Sequence, residues 1–132
     1  MPASADDSEQ PGQTLAVMAE VLYLANLLLA PGLCFVILLH LYFKHRASAP
    51  QLAVCHLKQT VSASIWAGIL LVIANLAILL LGGYTSANTW IVLIVYFVTC
   101  HSTLVLLGII GLSKAMAGQQ YVYPLLGKKC DG

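Results

Sequence analysis

The chain is 132 residues long, 60% hydrophobic and only 8% charged, whereas soluble domains carry about 25% charged residues. That balance excludes an ordinary water-soluble core, and a net charge of +1 gives no reason to expect nucleic acid as a partner. Runs of about 20 apolar residues cross a hydrocarbon core of about 30 Å, and three occur, at 21–43, 62–81 and 90–112.

The expected architecture is an all-α membrane protein. It has three transmembrane helices in one domain over 14–126, a mobile acidic tail over 1–13 and a basic tail over 127–132. The first tail lacks the positive start of a secretory leader, and the apolar run after it is longer than a leader's core. Its acids also argue against an organelle transit peptide, so a bacterial inner membrane is the expected home of this multi-pass protein. Lys44, Arg46, Lys58, Lys114, Lys128 and Lys129 are all the basic residues. In a three-span layout they share one side, which the positive-inside rule makes cytoplasmic. The topology is then N-out/C-in, with Glu20 at the outer interface.

In the first span, Pro31 and Gly32 stand near the middle. Proline removes a backbone donor and collides with the preceding turn, which predicts a helix kinked at Pro31. The span closes on His40, Tyr42, Phe43, Lys44 and Arg46, an aromatic and basic membrane boundary. Pro50 is a suitable first-turn residue for the next helix. Residues 51–61 are helical in pattern but too polar for lipid, and read as an interfacial amphipathic start to helix 2. His56, Thr60, Ser64, Gly68 and Asn75 follow at spacings of 4, 4, 4 and 7, roughly one face of that helix. Small and polar residues on such a face allow close approach and bonding across helices. The glycine- and threonine-containing stretch 82–89 is a turn, and Trp90 anchors the third span at the interface. That span carries His101 near mid-membrane and a small-residue face at Gly108, Gly111 and Ala115. Gly118 ends it, and Tyr121, Tyr123 and Pro124 predict an interfacial C-terminal segment that returns to the membrane surface. There His56 and Gln59 are expected to mark the site that matters most, with Tyr123 as their neighbour.

No motif for catalysis is present: no nucleophile elbow, phosphate-binding loop or metalloprotease helix. No catalytic or metal-binding residue, and no cofactor, is expected. Histidines within spans are functional hypotheses by default, so His40, His56 and His101 are the candidates for axial ligands of haem b. His40 lies about 3 residues and His101 about 11 from the cytoplasmic edge, a depth difference of roughly 12 Å, which disfavours one shared iron. The four cysteines, Cys34, Cys55, Cys100 and Cys130, show no zinc or redox spacing and read as reduced thiols rather than a disulfide framework.

Two segments together resemble a known family. The first is 48–64, with Pro50, His56, Lys58, Gln59 and Ser62 after a basic span end; the second is 113–126, with Lys114, Ala115, Gly118, Tyr121, Tyr123 and Pro124. They look like the Tic-twenty-like superfamily of small bacterial integral membrane proteins, a domain of unknown function. Val61, Ser62 and Ala63 depart from the family's usual Leu-Asn-Phe. The resemblance implies the three-helix layout and a non-catalytic role.

The expected function is a non-enzymatic accessory or scaffolding subunit. Its partners are the lipid bilayer and other integral membrane subunits, met through helix packing. One alternative, carried by the resemblance, is a component of a protein-translocation or channel-like assembly. Another is a haem b-binding electron-transfer subunit.

Overall fold

The computed structural model describes residues 11–123, and among them the only regular structure is helical. Four helices follow one another: α1 (Gln13–Leu28), α2 (Leu33–His45), α3 (Gln51–Gly82) and α4 (Ala87–Met116). Helix α3 contains a single π turn at Ile69–Ile73. Two helices, α3 and α4, are long and apolar enough to cross a membrane, while α1 and α2 are shorter apolar helices.

The first expected span is corrected. Residues 21–43 are not one kinked helix but parts of α1 and α2, which fold back on each other as a hairpin. Leu15, Ala19 and Leu22 of α1 share a cluster with Leu38, Leu39, Leu41 and Tyr42 of α2. In a continuous helix, Leu15 and Tyr42 would stand about 40 Å apart. Pro31 and Gly32 do more than bend the chain. Pro31 has no N–H to offer the Leu27 carbonyl four residues back, and that carbonyl accepts instead from His101 Nε2 of α4 at 3.0 Å. Gly32 takes φ +90°, a conformation that favours glycine, and its N–H donates to Asn26 Oδ1 at 2.9 Å. The reversal is thus closed by polar partners on both sides of the tip.

The start of α1 and the end of α4, expected on opposite sides of a membrane, lie together. Gln13 Nε2 donates to the Met116 carbonyl at 2.8 Å, and Gly12 packs beside Pro50 and Ala53. The start of α1, the loop between α2 and α3 and the end of α4 therefore share one end of the molecule. Only the turn after Gly82 lies at the other, where Trp90 Nε1 donates to the Tyr84 carbonyl at 2.8 Å. The terminal segments read as acidic and basic tails fall largely outside the described residues, as does the chain beyond Tyr123.

Helix α1 lies between α3 and α4. On the α4 side the small residues make room for it: Ala16 packs with Ala115, and a Cβ on Gly108 would stand 2.6 Å from Leu24 and 2.8 Å from Tyr23. Helix α4 ends in a Schellman turn. Gly118 adopts φ +71°, its N–H bonds Ala115 O at 3.0 Å and the Gln119 N–H bonds Lys114 O at 2.8 Å. This sends 119–123 back across the start of α3.

That start was expected to be an interfacial amphipathic segment, and it is enclosed by protein on nearly all sides. Ala53, Cys55, His56, Leu57, Gln59 and Thr60 are completely buried, because the hairpin covers one side and the returning chain the other.

Candidate functional site: a buried carboxylate, histidine and tyrosine

Glu20 is the only acid between Glu9 and Asp131. Expected at an outer interface, it is instead fully buried on α1, at the junction of α1, α3, α4 and the returning chain. His56 Nδ1 stands 2.5 Å from Glu20 Oε2, and the Tyr123 hydroxyl donates to Glu20 Oε1. His56 Nε2 donates to the Gln119 carbonyl at 2.8 Å, and the Tyr123 N–H donates to Gln59 Oε1 at 3.3 Å. Tyr23 stacks edge-on against Tyr123, centroids 5.6 Å apart, and donates to the Leu104 carbonyl at 3.1 Å.

The partners fix the protons. A carbonyl only accepts, so His56 Nε2 carries hydrogen. The Nδ1–Oε2 contact then holds one further proton, giving either imidazolium with carboxylate or neutral imidazole with carboxylic acid. Both states leave the pair with no net charge, which is how a histidine and an acid can be buried together without an uncompensated ion. Burial, and then the neighbouring Glu20 carboxylate, push the Tyr123 phenol well above its ordinary value, so it remains a donor. Gly111 completes the site by absence: a Cβ there would stand 2.5 Å from Glu20 Oε1 and 2.7 Å from the Tyr123 oxygen.

His56, Gln59, Tyr123 and Gly111 are therefore brought together. The other expected residues are not. Thr60 turns its hydroxyl back to the His56 carbonyl at 2.8 Å. Ser64 is buried with its hydroxyl unpaired, and Gly68 is exposed. Asn75 Nδ2 donates to the Leu71 carbonyl at 2.6 Å while its Oδ1 has no partner. The π turn at Ile69–Ile73 inserts an extra residue per turn, so the stripe does not continue as one face across it. His101 sits a layer away, stacked on Phe97 at 5.4 Å and bonded to Leu27. Gly108 packs against the same helix as Gly111 but meets Leu24 and Tyr23.

Both nitrogens of His56 are occupied, His101 Nε2 is bonded to Leu27, and His40 is exposed on α2. The three do not form a pair aimed at one iron. Among the described residues no group of three His, Cys, Asp or Glu side chains is placed to hold a metal ion. The cysteine expectation is corrected at one position: Cys34 and Cys100 are free, but Cys55 is disulfide-bonded.

Glu20, the Gln119 carbonyl and Tyr23 are the site residues that sequence reasoning missed. A lone acid within an apolar helix was itself the available signal. Compared with known families, curated proteins and solved structures, the chain matches none.

Glu20 and His56 are 0% exposed and Tyr123 is 1% exposed. No substrate reaches them in this conformation. Chemically, the cluster stores one proton and ties the hairpin, α3 and the returning chain to one another.

Proposed function

We propose that this chain is a small integral membrane protein in which α3 and α4 span the bilayer and the α1–α2 hairpin enters and leaves on one side. The observation that carries this reading is an inversion of polarity. Glu20, His56, Gln59 and Thr60 are fully buried, while Val72, Leu80 and Leu81 are 64%, 73% and 89% exposed. Exposed leucine is unfavourable in water and neutral against acyl chains. The bond from His101 to Leu27 sets the hairpin tip level with the middle of α4, so the hairpin penetrates about half of the bilayer.

The end bearing Lys44, Arg46, Lys58 and Lys114 faces the cytoplasm of a bacterial inner membrane by the positive-inside rule. The Cys55 disulfide argues for the opposite orientation, because cytosolic thiols are kept reduced. The basic residues carry more weight, since several of them agree. An impermeant thiol reagent applied to intact cells tests this, in a background lacking Cys34 and Cys100. Ser86→Cys is expected to be labelled and Ser48→Cys to be protected; the reverse pattern would invert the protein.

Within the membrane the proposed role is that of a non-enzymatic accessory subunit. The sealed Glu20 cluster offers no substrate access. Thr99, Ser102 and Thr103 are exposed midway along α4, where hydroxyls can bond to another helix. Kinship with the Tic-twenty-like superfamily is part of the same proposal. It is supported by the contact between the two resembling segments, at His56–Gln119 and Gln59–Tyr123. A photo-crosslinking residue at Ser102, used in native membranes, is expected to capture one defined membrane polypeptide. Recovery of the monomer alone would overturn the accessory role.

A further inference from the structure

A crevice runs along the outer side of α3, where α2 covers it incompletely. Its first part, about 380 Å3, lies at the basic end and is lined by Tyr42, Lys58, Ser62 and Trp66 together with Ile65 and Ile69. Its second part, about 500 Å3, shares Ile65 and Ile69 and continues under the hairpin tip past Phe35, Gly68, Val72 and Ile73. The crevice is thus amphipathic along its length: a cation and hydroxyls at one end, hydrocarbon at the other.

The levels match half of a bilayer. Lys58 is 24 residues before Gly82, and Gly111 is 24 residues beyond Ala87; in two antiparallel helices joined by a short turn they stand at about the same height. Lys58 is therefore close to Lys114 and to the Tyr42–Arg46 end of α2, in the headgroup layer. From Lys58 to Ile73 the helix rises about 22 Å, and one leaflet with its headgroups is about 20–22 Å thick.

Three polar groups in the crevice lack protein partners among the described residues. The ion pair between His56 and Glu20 is the only one among the described residues, and it leaves Lys58 without a carboxylate. The Trp66 side chain is 42% exposed, and its indole N–H has no acceptor among the described residues. Farther in, Ser64 is 5% exposed with its hydroxyl unpaired.

We propose that this crevice is a binding site for one anionic phospholipid of the leaflet at the basic end. The phosphate pairs with Lys58 beside the Tyr42 phenol, and an ester carbonyl accepts from Trp66. One acyl chain follows Ile65 and Ile69 into the space against Gly68. The site rests on the membrane reading above. Lys58 selects the charge of the headgroup, and the apolar reach beneath the hairpin tip selects a tethered chain over a free anion.

The test uses the full chain carrying Trp90→Phe, so that Trp66 is the only tryptophan, in phosphatidylcholine vesicles. A minor fraction of lipid is replaced by brominated phosphatidylglycerol or brominated phosphatidylcholine, whose bromines quench tryptophan on contact. The anionic lipid is expected to quench Trp66 with a roughly five-fold preference, the effect of one lysine at the surface. Lys58→Gln should remove the preference and Lys58→Arg retain it. Gly68→Leu should remove it as well by filling the chain's space, since a Cβ on Gly68 meets nothing within 4 Å. Equal quenching by the two lipids in the parent would overturn the lipid site alone. So would a preference that survives both Lys58→Gln and Gly68→Leu, or one abolished by excess inorganic phosphate. No quenching by either lipid would overturn the membrane reading together with the site.

Discussion

The two halves of α3 follow opposite rules. From Gln51 to Ser64 the helix is polar in sequence and almost wholly buried; from Ile65 to Gly82 it is apolar and largely exposed. A soluble protein would reverse this. The lesson is that burial here follows the polar groups that need partners, and the apolar half is left to the solvent that suits it. The buried half holds the Glu20–His56–Tyr123 cluster and is wrapped by three segments, whereas the exposed half makes its few contacts through α4.

The sharpest way to break the comparison is to remove the acid. Glu20→Leu leaves His56 buried without its carboxylate, and breaking a buried pair from one side costs about 3–5 kcal/mol. Thermal unfolding in mild detergent should register a loss of that size. The double variant Glu20→Leu with His56→Leu should recover much of it, because two apolar side chains leave no uncompensated charge. A double variant no better than the single one would show that the cluster acts through shape rather than charge.

A second comparison sets a glycine of α4 that faces the buried cluster against one in the exposed half of α3. Gly111→Ala puts a methyl group 2.5 Å from Glu20 Oε1, and overpacking of this kind costs about 1–3 kcal/mol. Gly68→Ala lies mid-helix in open space, where replacing glycine gains about 0.5–1 kcal/mol. Opposite signs in the same unfolding assay are the expected result; two losses would mean that the crevice beside Gly68 is closed by something else.

Much of this layout was legible. Pro50, the Gly82–Gly83 pair and Gly118 mark helix ends through backbone chemistry that depends on few neighbours. Gly108, Gly111 and Ala115 announce a close approach by another helix because each lacks a bulky side chain. The reversal at Pro31 and Gly32 was not legible. A 23-residue apolar run has the same length and composition whether it crosses a bilayer or turns back within it. Only the contacts between Leu15 and the Leu38–Tyr42 stretch distinguish the two. That one ambiguity moved Glu20 to the wrong end of the molecule, hid the acid facing His56, and hid how completely protein encloses the start of α3. The Cys55 disulfide was hidden differently, since no local spacing pairs it with another cysteine.

The smallest expected effect tests the comparison within a single residue type. Leu57 and Leu80 lie on the same helix, one in each half. Leu57 is completely buried in a cluster with Ala19, Leu38 and Val61, so Leu57→Ala should cost about 2–5 kcal/mol through lost contacts and a cavity. Leu80 is 73% exposed. In the proposed arrangement its side chain touches acyl chains both before and after unfolding within the membrane, so truncation removes little that folding had gained. Leu80→Ala should therefore change stability by less than about 0.5 kcal/mol, in bilayers as in detergent. A cost at Leu80 approaching that at Leu57 would mean that its exposed face is covered in the native membrane. Repeating the measurement on purified monomer would then show whether the cover is a second polypeptide, because the cost would vanish when that polypeptide is removed.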